Sequence, residues 1–361
     1  MNNVPLSSVC LSELERRYVL EALDEGMISS SGLHVKRFED LISRRAGAEH
    51  AIATASGTSA LELLLRAMDI GQKDEVIVPA LTFASPALAV AVVGATPVFG
   101  DVTLETWTLD PVKVAELVTP RTRAIIAVDV LGHPCDYDEL TSLGVPIIED
   151  AAEAHGATYK GRPVGSFGHA AIFSFHANKA ITSGEGGCVV TSDRTLAERV
   201  RRLNSFGMDP HHRYWHTEIG SNYRMANLVA AVALGQMERW DDLIAARRRV
   251  AESYDFALQS LPLQRRPVAA WASESVWLYT VATEKRASVL ASCSRNGVDA
   301  RAIWPALPKN PVFADCSADC PRAEAIASRA LWLPTWAGMP QECINAVSRA
   351  VAEAFGVEIG K

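Results

Sequence analysis

Between about residues 50 and 200 the chain alternates two patterns of apolar and polar positions. Short runs, apolar nearly throughout, fall at 75–79, 96–102, 124–131, 145–150, 170–175 and 188–192. Strands covered on both faces have this character. Between several of them, apolar residues recur every three or four positions: Leu61, Leu64, Leu65 and Met68, then Leu196, Val200, Leu203 and Phe206. Strand and helix in alternation predict an α/β layer with a largely parallel central sheet, where ligands gather at the carboxyl ends of the strands. The apolar stretch at 87–93, between Pro86 and Gly94, is too short to cross a bilayer and reads as a buried helix. From Met225 to about Leu258 the period is helical, as one long helix or two abutting ones, and the basic run Arg247-Arg248-Arg249 reads as a solvated face. Beyond it, strands near 276–283 and 298–303 and helices near 286–295 and 342–355 predict a smaller α+β unit.

The chain has 361 residues, more than one compact core holds, so two domains are expected. The division is an N-terminal arm at 1–30, a large domain at 31–245 and a small C-terminal domain at 246–361. A net charge of −7 argues against a nucleic-acid partner. Seven scattered cysteines predict reduced thiols and a cytoplasmic setting. Cys316 and Cys320 are at most half of a metal site, since no histidine follows His216, and no metal is expected. The start, Met1 to Pro5, has no basic region leading into an apolar stretch, so neither a signal peptide nor a membrane partner is expected.

Candidate chemistry lies at the ends of the predicted strands. Ser56-Gly57-Thr58-Ser59 opens the helix that carries Leu61. A glycine turn at a helix start presents free N–H groups and the positive end of the helix dipole, a cradle for phosphate. The same residues also suit an ordinary N-cap. Glu149-Asp150 ends the apolar run at 145–148 and is followed by Ala151-Ala152-Glu153-Ala154-His155-Gly156. A carboxylate emerging there needs a cation or donors. A salt bridge, a helix cap and a protonated heterocyclic nitrogen are all open to it. Phe83 follows another strand end, and either covers a planar ring or joins the core. Ser174 either donates to phosphate or is an ordinary strand serine. Lys179 stands on a loop between the runs at 170–175 and 187–192, with Gly184, Gly186 and Gly187 after it. Lysine amines condense with aldehydes, which makes such a residue a candidate covalent anchor.

In chain order, these motifs resemble the DegT/DnrJ/EryC1/StrS sugar aminotransferases, fold-type I enzymes that use pyridoxal 5′-phosphate. The likeness runs through the arm segment 26–32, Ser56 to Leu61, Asp74 to Pro79, Gly94 to Val98, Gly132 to Asp136, Glu149 to Gly156 and the lysine segment 173–187. It implies a large domain with a mostly parallel sheet flanked by helices and a smaller α+β domain. It also implies roles. Lys179 would hold the cofactor and shuttle the proton, and Asp150 would pair with the ring nitrogen. Glu153 would lie near the ring hydroxyl, and Phe83 would stack on the ring. Ser56, Gly57, Thr58 and Ser174 would hold the phosphate, and Asn222 would reach the phosphate of a neighbouring subunit in a homodimer with shared active sites. The segment 207–215, with Asn222 to Asn227 after it, is most similar to members that aminate GDP-4-keto-6-deoxymannose at C4 with L-glutamate as donor. Arg213 and Tyr214 are the substrate contacts that likeness suggests.

Two departures bear on the substrate. The family's His-Pro-x-His stretch after the small-domain arginine is absent, since Arg301 is followed by Ala302-Ile303-Trp304-Pro305. Met27 stands where a tryptophan is common. The alternatives are the same chemistry on another keto-sugar or a cyclitol ketone, or a sugar dehydratase of the family. Dehydratases carry histidine in place of the lysine, so Lys179 argues for amino transfer. A regulator with an appended DNA-binding module finds no basic patch or spare segment here.

Overall fold

A computed structural model of the chain describes residues 3–316 and 318–358. Met1 and Asn2 of the expected arm, and Ser317 and residues 359–361 of the expected C-terminal domain, lie outside the described residues. The central sheet has seven strands in the order His50–Thr54, Gly187–Thr191, Ala170–Ser174, Ile147–Asp150, Thr122–Val128, Glu75–Pro79 and Thr96–Gly100. The last five are parallel, and Gly187–Thr191 runs antiparallel to both its neighbours. Each predicted run contains a strand, most of them a residue or more shorter than the run, with Thr122–Val128 and Gly187–Thr191 starting ahead of theirs. His50–Thr54 is a strand the apolar pattern does not single out. Its alanines are weak strand formers, and pairing from His50↔Thr191 to Thr54↔Gly187 holds it.

Helices cover both faces of the sheet. On one, Leu61, Leu64 and Leu65 of helix Gly57–Ala67 pack with Val76, Val78 and Ile126. On the other, Phe38 and Ile42 of helix Leu33–Ala46 pack with Phe173 and Val190. Helix Ser85–Val92 is not the wholly buried helix expected, because Leu88 and Val92 are exposed on its outer side while Ala87, Ala89 and Val90 face the core. The segment after Met225 forms two abutting helices, Asn227–Glu238 and Trp240–Leu258.

The second of these helices spans two cores. Trp240 and Leu243 join the cluster under the large sheet. Val250, Tyr254 and Leu258 join the cluster beneath a four-stranded antiparallel sheet. That sheet runs Gln264–Arg265, Tyr279–Ala282, Ala330–Leu333 and Arg301–Ala302, backed by helices Arg286–Arg295 and Gln341–Glu353. Helix Pro321–Arg329 and strand Ala330–Leu333 went unpredicted; the strand follows the helix with no intervening loop to mark it. Arg247 corrects the reading of its run as a solvated face. It lies on the inner side of helix Trp240–Leu258 and is buried, while Arg248 and Arg249 are exposed. No described helix is long and apolar enough to cross a membrane.

Candidate active site

The carboxyl ends of the parallel strands and the N-terminus of helix Gly57–Ala67 surround a cavity of about 280 Å³. Lys179 lines it from the turn between strands Ala170–Ser174 and Gly187–Thr191. Gly186, at φ 147°, allows the chain to return where an added Cβ would meet Ser183 Oγ at 2.6 Å. A Cβ on Gly187 would lie 2.3 Å from the Ser56 carbonyl carbon, so only glycine lets this strand start against the helix terminus. The Lys179 amine is 3.4 Å from Glu153 Oε1 and 4.1 Å from the centroid of the Trp277 ring.

Arg247 fixes the lysine turn from below. Its guanidinium donates to the Lys179 carbonyl at 3.0 Å, the Asn178 carbonyl at 3.3 Å and the Trp277 carbonyl. The Trp277 indole N–H donates to the Asn178 carbonyl at 3.0 Å. Burial lowers the Arg247 pKa to about 10, which leaves it charged at neutral pH.

Strand alternation separates the two acids that end Ile147–Asp150. Glu149 turns away from the cavity and accepts from the N–H groups of Gly165 and, at 3.0 Å, Phe167. Asp150 lines the cavity with Glu153. Its Oδ1 accepts from the Ala152 N–H at 3.1 Å, and its Oδ2 has no partner among the described residues. Burial, reinforced by the charge of Glu153, raises the Asp150 pKa to about 7, against the Ala152 N–H and the Lys179 charge. Glu153 is also raised by burial, opposed first by Lys179 and then by the Leu131 N–H, which donates to Oε2 at 2.8 Å.

At the other end, Ser56 caps its helix, accepting from the Ser59 N–H at 3.1 Å. The N–H groups of Gly57 and Thr58 have no partner among the described residues, which leaves an anion site at the dipole's positive end. Ser174 closes on it, since a Cβ at Gly57 would sit 3.0 Å from Ser174 Cβ. The Thr58 hydroxyl pairs with the Ser85 hydroxyl at 2.7 Å. Phe83 is no core aromatic; it is 54% exposed and lines the cavity.

Eight of the predicted residues thus share one cavity: Ser56, Gly57, Thr58, Phe83, Asp150, Glu153, Ser174 and Lys179. Asn222, Arg213 and Tyr214 do not line it. They lie on an exposed loop, where the Asn222 side chain accepts from Arg224 Nε at 3.0 Å and Arg213 sits over the Tyr214 ring. The sequence reading assigned no role at the site to Arg247, Trp277 or Trp332 and took the stretch that holds Trp304 only as a departure bearing on the substrate; the three tryptophans line the cavity. An amine, a carboxylate with an unpartnered oxygen and a bare helix terminus together fit a planar aldehyde carrying a basic ring nitrogen and a phosphate.

The profile of the DegT/DnrJ/EryC1/StrS aminotransferase family matches residues 9–352. GDP-perosamine synthase of Caulobacter vibrioides is 41% identical over 98% of this chain and 100% of its own length. GDP-perosamine synthase of Escherichia coli O157:H7 is 34% identical over 98% and 99%. The crystal structure of DesV from S. venezuelae in complex with a ketimine intermediate superimposes with a TM-score of 0.93 at 35% identity, covering 99% of this chain and all of that one.

Proposed function

Because this chain belongs to the DegT/DnrJ/EryC1/StrS family of pyridoxal phosphate-dependent aminotransferases, we propose that it transfers the amino group of L-glutamate to C4 of GDP-4-keto-6-deoxymannose. The near full-length likeness to GDP-perosamine synthases supports the acceptor. The observation that carries the reading is the single cavity shared by the Lys179 amine, the Asp150 and Glu153 carboxylates and the Gly57–Thr58 terminus.

Bound pyridoxal phosphate supplies an electron sink for the carbanion left when a donor loses its α-proton. Lys179 would hold the cofactor through its amine, and the same amine, once free, would move the proton at the donor α-carbon. Asp150, with one oxygen unpartnered, keeps the ring nitrogen protonated. Glu153 orients the ring hydroxyl and holds the lysine amine at 3.4 Å. Phe83 covers one ring face and excludes water. Ser56, Gly57, Thr58 and Ser174 bind the phosphate. We assign Asn222 to the phosphate of a second subunit, with Arg213 and Tyr214 nearby on the substrate. Phe206, Tyr214, Trp215 and Ile219, exposed on that same loop, support a homodimer with shared sites. Seven unpaired cysteines fit a cytoplasmic setting.

Purified protein supplied with cofactor, L-glutamate and GDP-4-keto-6-deoxymannose should yield a GDP-linked 4-amino sugar by mass spectrometry. Lys179→Ala should yield none while keeping the wild-type circular dichroism and a sedimentation mass of two chains. Amino sugar formed by Lys179→Ala at the wild-type rate defeats the assignment.

A further inference from the structure

Among the described residues the Glu153 carboxylate has two hydrogen-bond partners. Its Oε1 faces the Lys179 amine at 3.4 Å, and its Oε2 accepts from the Leu131 N–H at 2.8 Å. Leu131 stands at φ 55° and ψ 23°, left-handed backbone that a leucine seldom adopts and keeps only where its surroundings hold it. Gly132 follows at φ 88°, and a Cβ there would lie 2.0 Å from the Ser275 carbonyl oxygen. The Ser275 N–H donates to the Gly132 carbonyl at 2.9 Å, so this turn is packed against the segment between strands Gln264–Arg265 and Tyr279–Ala282.

Arg266, in that segment, is buried and does not line the cavity. Its guanidinium donates to the Val130 carbonyl at 2.8 Å and to the Leu131 carbonyl at 3.4 Å. Glu274 fixes it from behind, accepting at 2.5 Å. The His133 backbone N–H also reaches the Val130 carbonyl, at 3.2 Å. The residue three positions beyond Leu131 is Pro134, which has no N–H, so Arg266 is the donor to the Leu131 carbonyl among the described residues. The Val130 carbonyl and the Leu131 N–H belong to one planar peptide unit. A charged donor on the oxygen of that unit therefore aims and polarises the N–H that Glu153 accepts. Burial raises the Glu153 pKa; against it act Lys179, the Leu131 N–H and then the Arg266 charge.

We propose that Arg266 is a positioning residue for the cofactor site: it grips the Val130–Leu131 peptide, whose N–H sets the Glu153 carboxylate toward the cofactor's ring hydroxyl. The proposal rests on the transaminase reading above, in which Glu153 orients that hydroxyl, and adds the group outside the cavity that orients Glu153. Groups linked in one hydrogen-bond network couple by about tenfold in an equilibrium constant. That coupling separates positioning from a general contribution to the fold, which would act whether or not the Glu153 carboxylate is present.

The test is a double-mutant cycle on the affinity of the apoprotein for pyridoxamine phosphate, which carries the ring hydroxyl but cannot condense with a lysine, measured by calorimetry. Arg266→Met should weaken binding about tenfold when Glu153 is present and by less than about twofold in the Glu153→Ala background. Arg266→Lys keeps the charge but not the fork, and should lose about threefold with Glu153 present and less than about twofold without it. Circular dichroism reports that each variant is folded; if Arg266→Met is not, the cycle with Arg266→Lys decides. Equal losses in both backgrounds, or no loss with Glu153 present, overturn the proposal. The transaminase reading is tested apart, by mixing the pyridoxal phosphate-loaded wild type with L-glutamate: an unchanged absorbance band defeats that reading, whatever the cycle shows.

Discussion

Replacing Asp150 by asparagine isolates the energy stored in one buried carboxylate. Without cofactor, the folded chain holds the Asp150 proton up to about pH 7, against an ordinary 3.8 in the unfolded chain. The folded state therefore binds more protons between those values, and its stability falls as pH rises through that window. The difference of about three pH units corresponds to about 4 kcal/mol lost by pH 7. Asparagine is isosteric and uncharged, so Asp150→Asn should remove that loss. In urea titrations of the apoprotein from pH 4 to 8, wild-type stability should fall by up to ~1.4 kcal/mol per pH unit more than that of the variant. Glu149, also raised to about 7 by burial, keeps its own share of the slope in both proteins. The cofactor-loaded wild type should lack the Asp150 share, because a protonated ring nitrogen gives the carboxylate a partner. Superimposable apoprotein curves for wild type and Asp150→Asn would falsify the claim that this carboxylate waits unpartnered for a cation.

Arg247→Met should leave the carbonyls of Lys179 and Trp277 without their charged donor. At about 1–3 kcal/mol for each stranded carbonyl, the urea midpoint should drop and cofactor affinity with it; an unmoved midpoint contradicts the clamp. Gly57→Ala should weaken cofactor binding about tenfold, since its Cβ would sit 3.0 Å from Ser174 Cβ beside the anion site. Its thermal midpoint should move little, because Gly57 is the first residue of its helix, where the propensity gain is small and offset by the crowding against Ser174. Unchanged cofactor affinity in that variant removes the phosphate from this terminus.

Local patterns carried much of the architecture. Unbroken apolar runs announced the buried parallel strands, and the acid, serine and lysine of the site stand just where those runs end, so chain order revealed them. What escaped notice depends on partners distant in sequence. Arg247 hides in a basic triplet, yet Leu243, Val250, Ala251 and Tyr254, at spacings of three, four and seven, mark its side of the helix as the inner one. That period was a usable signal. The grouping of Trp277, Trp304 and Trp332 at the cavity had none beyond the departure after Arg301, because the three meet only once the small sheet is folded. Strand His50–Thr54 likewise takes its conformation from Gly187–Thr191 rather than from its own alanines. The exposed loop with Arg213, Tyr214 and Asn222 does not line its own chain's cavity, and the role proposed for it requires a second copy.

The central claim is that one amine, that of Lys179, carries the cofactor. Reducing the pyridoxal phosphate-loaded protein with borohydride, digesting it and sequencing the peptides by mass spectrometry tests this directly. The phosphopyridoxyl mass should fall on Lys179 alone, at one group per chain. A label on another lysine, or no stable label, contradicts the account.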